Sequence, residues 1–177
     1  MKPRVGISRC LLGEDVRYDG TNRLSAAVAE ITPLVEWVAV CPEVEVGMGI
    51  PREPIQLVRR PDGVRSGSES VRLKGVQSGE DWTDRMARWA AARAADLIAA
   101  GISGFVLKGR SPSCGPAEVL VHDAVGTAAS NGRGLFAEAL AATMPGLPMI
   151  DEEALDDRQA RERFLQTVRT FAATRGA

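Results

Sequence analysis

Cysteine is scarce in this 177-residue chain: Cys10, Cys41 and Cys114 are the only three. An odd count with no Cys-x-x-Cys pair argues against a disulfide framework and lacks the strongest local signature of a bound metal. Histidine is scarcer still. His122 stands alone, so a structural zinc site of four protein ligands would need all three cysteines as well. Charge of one sign is not in excess: the formal net charge is −1, which offers no field for nucleic acid or an anionic membrane. No apolar run approaches the roughly 18 residues that span a bilayer. Met1-Lys2-Pro3-Arg4 leads into too few apolar residues for a signal-peptide core, so a cytoplasmic location is expected. There is no internal repeat or low-complexity tract, and no linker long enough to separate domains. A Gly-x-Gly-x-x-Gly run and a Gly-Lys-Ser/Thr triplet are both missing, as is any DNA-reading motif.

What is present is ordinary for a globular chain: 45% apolar and 25% charged residues, enough for one core. We expect a single domain over residues 1–177. Short apolar runs alternate with helical patterns, which argues for a Rossmann-like α/β fold, a mainly parallel sheet flanked by helices on both faces. Strands are expected over 4–8, 35–40 and 104–107, with shorter ones at 55–58, 71–73, 118–122 and 149–150. The pair at 55–58 and 71–73 suggests a hairpin turned near Pro61-Asp62-Gly63. Helices are expected over 24–31, capped by Thr21 or Asn22 and ended by Pro33, and over 80–100, 135–143 and 158–174. Ser78 with Asp81 resembles a capping box for the second of these, and Gly101 suits its C-terminal end. Trp82, Met86, Trp89, Ala90 and Leu97 fall on one of its faces, with Arg93 the one interruption. These tryptophans read as core packing. Three prolines and two glycines between residues 42 and 54 exclude regular helix there. The final helix should bury Phe164, Leu165, Val168 and Phe171.

Each cysteine falls just beyond an apolar run: Val5-Gly6-Ile7, Val38-Ala39-Val40 and Phe105-Val106-Leu107. If the three strands pair in parallel, their carboxyl ends share the sheet edge at which open α/β proteins place ligands. Three distant thiols then meet in one crevice. Thiolates select iron–sulfur clusters, zinc and Cu(I), and a cluster held by three cysteines leaves one iron open for chemistry. A zinc site of the three cysteines plus His122, a non-catalytic iron–sulfur module and a metal-free cysteine nucleophile are the other readings.

The residues around the cysteines narrow the choice. Ser8-Arg9-Cys10-Leu11-Leu12-Gly13, Val16-Arg17-Tyr18-Asp19-Gly20, Cys41-Pro42-Glu43, Pro51-Arg52-Glu53-Pro54 and Leu107-Lys108-Gly109-Arg110-Ser111-Pro112-Ser113-Cys114-Gly115 together resemble the thiouracil desulfidase family, over about residues 5–140. The resemblance implies a [4Fe–4S] cluster on Cys10, Cys41 and Cys114 with one iron lacking a protein ligand. It implies a non-redox reaction in which a thiolated pyrimidine, a small-molecule partner, exchanges sulfur for oxygen from water and releases sulfide. It also implies an assisting carboxylate and hydroxyl, which by position are Glu43 and Ser111, with Glu45 a second acidic candidate. A carboxylate there can take a proton from water, and Ser111 can donate to a ring nitrogen. Arg17, Arg52, Lys108 and Arg110 sit in the same loops, as does Ser113. Their guanidinium and ammonium groups suit a phosphate, so a thiolated nucleotide is a further expectation. The glycine-rich stretch 126–134 admits two readings, nucleotide binding at a helix N-terminus and a loop closing over the pocket. Neither a nucleic-acid polymer nor a membrane is expected as partner.

Overall fold

The computed structural model describes residues 2–60 and 71–175. In chain order, β1 (Arg4–Ser8) is followed by a 3-10 turn at Arg9–Leu12, α1 (Ala26–Ile31), β2 (Glu36–Val40), α2 (Pro42–Glu45), β3 (Ile55–Arg59) and β4 (Val71–Gly75). Then come α3 (Thr83–Ala99), β5 (Ile102–Leu107), β6 (Val119–His122), β7 (Ala128–Gly132), α4 (Leu135–Thr143), β8 (Met149–Asp151), α5 (Glu152–Asp156) and α6 (Arg158–Arg175).

Strands β2-β1-β5-β8 form one sheet in that order, all parallel. Alternation along its strands sends side chains to two cores. Val5, Ile7 and Val106 pack with Val28, Leu155, Phe164 and Val168 from α1, α5 and α6. Ile102, Phe105 and Leu107 pack with Ala90, Leu97, Phe136 and Leu140 from α3 and α4. Helices therefore cover both faces, as the alternating pattern required. Two glycines set the packing distance. A Cβ at Gly6 would lie 2.2 Å from the Phe105 ring, and one at Gly104 would lie 2.6 Å from Val168, so the strand–strand and sheet–helix approaches both depend on a missing side chain.

A second, mixed sheet runs β4-β3-β6-β7. β3 pairs antiparallel with β4 and parallel with β6, and β6 pairs antiparallel with β7. The expected antiparallel pair is present, while its turn near Pro61-Asp62-Gly63 lies outside the described residues. β7 was not expected from the sequence: Ala-Ala-Ser-Asn-Gly is poor in the branched and aromatic residues that mark strands, and it is exposed at the sheet edge.

Element ends differ from the sequence reading for local reasons. The first helix is capped by Ser25, whose side chain accepts from the Val28 N–H. Asn22 instead bonds the Leu24 N–H, and Thr21 is held in a turn by Asp19. The stretch after Cys41 does hold a turn of helix, α2, because Pro42 occupies its first position and costs no backbone bond there. α3 starts later than expected: Ser78 is bonded to Glu53, and Asp81 accepts from the Thr83 N–H, in place of a capping box. Its apolar face is as read, with Met86, Ala90 and Leu97 fully buried and Trp89 stacked at a tilt on Phe136. In α6, Phe164 and Val168 are buried, and Leu165 and Phe171 only partly so. α5, one turn between β8 and α6, was not expected.

Candidate active site

β1, β2 and β5 end on the same sheet edge, and the loops that follow them enclose a cavity of about 320 Å³. That is the small end of ligand cavities, which span about 300–1,000 Å³. Its wall contains Cys10, Cys41 and Cys114, so the convergence expected from three apolar runs is present. Arg52, Pro54 and Ile55 at the start of β3 close one side, so the second sheet supplies part of the wall.

The three thiols are buried. Burial pushes the Cys10 thiol up to about 11, the neighbouring Cys41 adding to the shift. It also raises Cys41, although the Val44 backbone N–H opposes the shift. Cys114, the most enclosed, is raised furthest by burial, against a hydrogen bond with Ser8. Burial thus disfavours the thiolates, a cost that a bound cation would offset. Among the described residues, no three His, Cys, Asp or Glu side chains stand close enough to hold one metal ion. The thiols share a cavity without meeting at a point. His122 lies in β6, paired with Ala128, and is not part of the cavity wall.

Glu43 sits at the centre of a polar chain. Its Oε2 pairs with Arg52, at 2.8 Å from Nε and 2.7 Å from Nη2. The Ser113 hydroxyl donates to Oε1 at 2.7 Å, and the Ser111 and Ser113 hydroxyl oxygens are 3.0 Å apart. Because Ser113 spends its proton on Glu43, Ser111 is the donor between the two. The Ser111 oxygen also accepts the backbone N–H groups of Ser113 and Cys114, at 3.3 and 3.1 Å. Ser111 is thus both a loop-fixing acceptor and the donor to Ser113. Glu45 lies elsewhere: it accepts the Cys41 N–H, forms an ion pair with Arg93, and is not part of the cavity wall.

The cations expected to hold a phosphate all line the cavity, but each already has a carboxylate beside it. Arg52 is bound to Glu43, Lys108 to Glu152, Arg110 to Glu153 at 2.6 Å, and Arg17 lies 3.5 Å from Asp19. They form no vacant phosphate clamp. The Arg110 pair is the most open, with 70% of its side chain exposed, and exposed pairs contribute only about 0–1 kcal/mol. Arg9, Tyr18 and Ser8 also line the cavity and were not singled out from the sequence. Arg9 is tied to Glu14, and the Ser8 hydroxyl accepts the Lys108 N–H at 2.9 Å. A polar residue closing the buried strand Val5-Gly6-Ile7 was the signal available for Ser8.

The glycine-rich approach to α4, part of which forms β7, does not present a helix N-terminus to a nucleotide. The N–H groups of Gly134, Leu135 and Phe136 bond the carbonyls of Gly115, Pro112 and Ser113, at 2.8, 3.2 and 3.0 Å. The N-terminus of α4 is used to hold the Cys114 loop, which leaves those donors unavailable to a nucleotide.

A model of the family described as 2-thiouracil desulfurase matches residues 5–152, covering the three cysteines, Glu43 and both serines. The chain belongs to that family. It is an enzyme of the sulfur-removing class. A solved structure described as the [4Fe–4S]-dependent thiouracil desulfidase TudS superposes with a TM-score of 0.68 at 28% identity, covering 92% of this chain and 99% of that one. An uncharacterized protein of Bacillus subtilis (strain 168), YbbK, is 32% identical over 110 residues, 62% of this chain and 71% of the relative. No helix among the described residues is long and apolar enough to cross a membrane.

Proposed function

We propose that the protein hydrolytically desulfurates a thiolated pyrimidine, using a [4Fe–4S] cluster held by Cys10, Cys41 and Cys114. The observation that carries this reading is the set of three buried thiols around one cavity with the Arg52–Glu43–Ser113–Ser111 chain in the same wall. Three soft donors spread over a wall suit a polynuclear group. A structural zinc site would need His122 as its fourth ligand, and His122 is not part of the cavity wall. When bound, such a cluster supplies a soft Lewis-acidic iron that polarises a thiocarbonyl.

The protein's own groups supply the rest. Arg52 fixes the Glu43 carboxylate through Oε2, and Ser113 fixes it through Oε1. A carboxylate offers about four lone-pair sites, so Glu43 keeps capacity to accept a proton from the attacking water. Ser111, whose oxygen is anchored by two backbone N–H groups, points its own proton toward Ser113 or a ring nitrogen. The water oxygen bonds to carbon, the carbon–sulfur bond breaks, and sulfur departs as hydrogen sulfide. No electron is gained or lost overall.

Turnover of 2- and 4-thiouracil in ¹⁸O-water tests the reading, using anaerobic protein reconstituted with iron and sulfide. One labelled oxygen per uracil and one sulfide, with no added reductant, is the expected result. Unlabelled product, or a requirement for reductant, rejects it. The corresponding thiouridine monophosphates belong in the same assay. A phosphate displaces Glu153 from Arg110 at small cost, so nucleotides should be accepted, with R110A affecting them and not the free bases.

A further inference from the structure

Arg93 is the one charged residue on the apolar face of α3 that carries Met86, Ala90 and Leu97, and the chemistry above does not use it. Its Nε lies 3.1 Å from Glu45 Oε2, an ion pair without hydrogen-bond geometry, with about a quarter of each side chain exposed. The other oxygen of Glu45 accepts the backbone N–H of Cys41 at 3.1 Å. That N–H stands where β2 has ended at Val40 and α2 begins at Pro42, a point at which neither the sheet ladder nor the helix supplies an acceptor. Glu45 reaches back from the last residue of α2 to fill the gap, in the manner of the carboxylate half of a capping box.

We infer that Glu45, held by Arg93, is a positioning residue for Cys41. The pair anchors the turn between β2 and α2 to α3 and so fixes the direction in which the Cys41 sulfur enters the cavity. Glu43 and Glu45 thereby divide the work of one short acidic helix. Glu43 faces the reacting molecule, and Glu45 faces the backbone of a cluster ligand. The inference rests on the desulfidase reading only for what the Cys41 sulfur binds.

The test compares E45A, E45Q and R93M. In metal-free protein, hydrogen exchange at the Cys41 amide should speed up at least about tenfold in E45A and R93M, with exchange in β5 unchanged. Glutamine keeps an acceptor oxygen, so E45Q should stay within about threefold of the parent. In reconstituted protein, E45A should release iron to a chelator at least about tenfold faster than E45Q. Unchanged Cys41 exchange in E45A overturns the inference. So does loss of kcat in E45A with exchange and iron retention both intact, which would place Glu45 in the chemistry. If the parent protein takes up no iron and sulfide, the desulfidase reading fails, and the amide exchange still decides the role of Glu45.

Discussion

Ser113 has no exposed surface, yet its hydroxyl donates to Glu43, the carboxylate proposed to take a proton from water. A hydrogen bond to a charged group contributes about 1.5–3 kcal/mol, equivalent to roughly 10- to 100-fold in a rate that depends on it. S113A should therefore lower kcat within that range, with KM and iron content unchanged. E43Q removes the proton acceptor itself and should cost at least about 100-fold in kcat. Steady-state kinetics on iron-matched samples distinguish the two, and equal kcat in S113A and the parent would separate Ser113 from the reaction. Glu43 and Ser111 were legible only through the family resemblance, by their places in the Cys41-Pro42-Glu43 and Ser111-Pro112-Ser113-Cys114 segments. The sequence could not show that Ser113 stands between them. Two serines one residue apart read alike until the loop's backbone shows which hydroxyl faces Glu43 and which one holds N–H groups. The paired state of Lys108 and Arg110 was equally hidden, because Glu152 and Glu153 come from a distant turn, α5, that carried no helical signal.

At the scale of elements, the site depends on how α4 meets the Cys114 loop. A Cβ on Gly134 would lie 2.5 Å from the Ser113 carbonyl and 2.7 Å from the Cys114 nitrogen, both backbone atoms that no rotamer change can move aside. Gly134 has ordinary extended dihedrals, so closeness and not backbone freedom explains the glycine. G134A should shift the loop and separate Cys114 from its partners. Iron bound after reconstitution is expected to fall to less than half of the parent value, with the far-ultraviolet circular dichroism preserved. Full iron loading would show that the loop tolerates displacement. The strands that place the cysteines were legible because all three are short apolar runs: β1 and β5 are buried on both faces, while β2, at the sheet edge and only partly buried, is apolar after Glu36. β7 and α5 were not: one has the composition of a loop, and the other is a single turn held by an Asp151 cap bonded to the Ala154 N–H.

At the scale of the molecule, three buried thiols with raised proton affinity line one cavity, and a cluster bound there would replace their protons with cations. Any ligand bound by the folded chain alone raises its stability by mass action. Anaerobic removal of iron with a chelator should thus lower Tm by several degrees, about 2–4 °C per kcal/mol of lost binding for a chain of this size. Calorimetry on matched loaded and stripped samples checks this, and identical Tm values would mean that the thiols bind nothing of consequence to the fold.

The sulfurs are carried by loops after β1, β2 and β5, and β1 lies in the sheet between the other two. During synthesis the first two emerge early, whereas the third must wait until more than half the polypeptide has left the ribosome. A nascent fragment offers only an incomplete grip on iron. Under the proposed reading, an inorganic centre that needs all three sulfurs would be installed only after the central strands have met, so each loaded molecule would already have passed a test of its own folding.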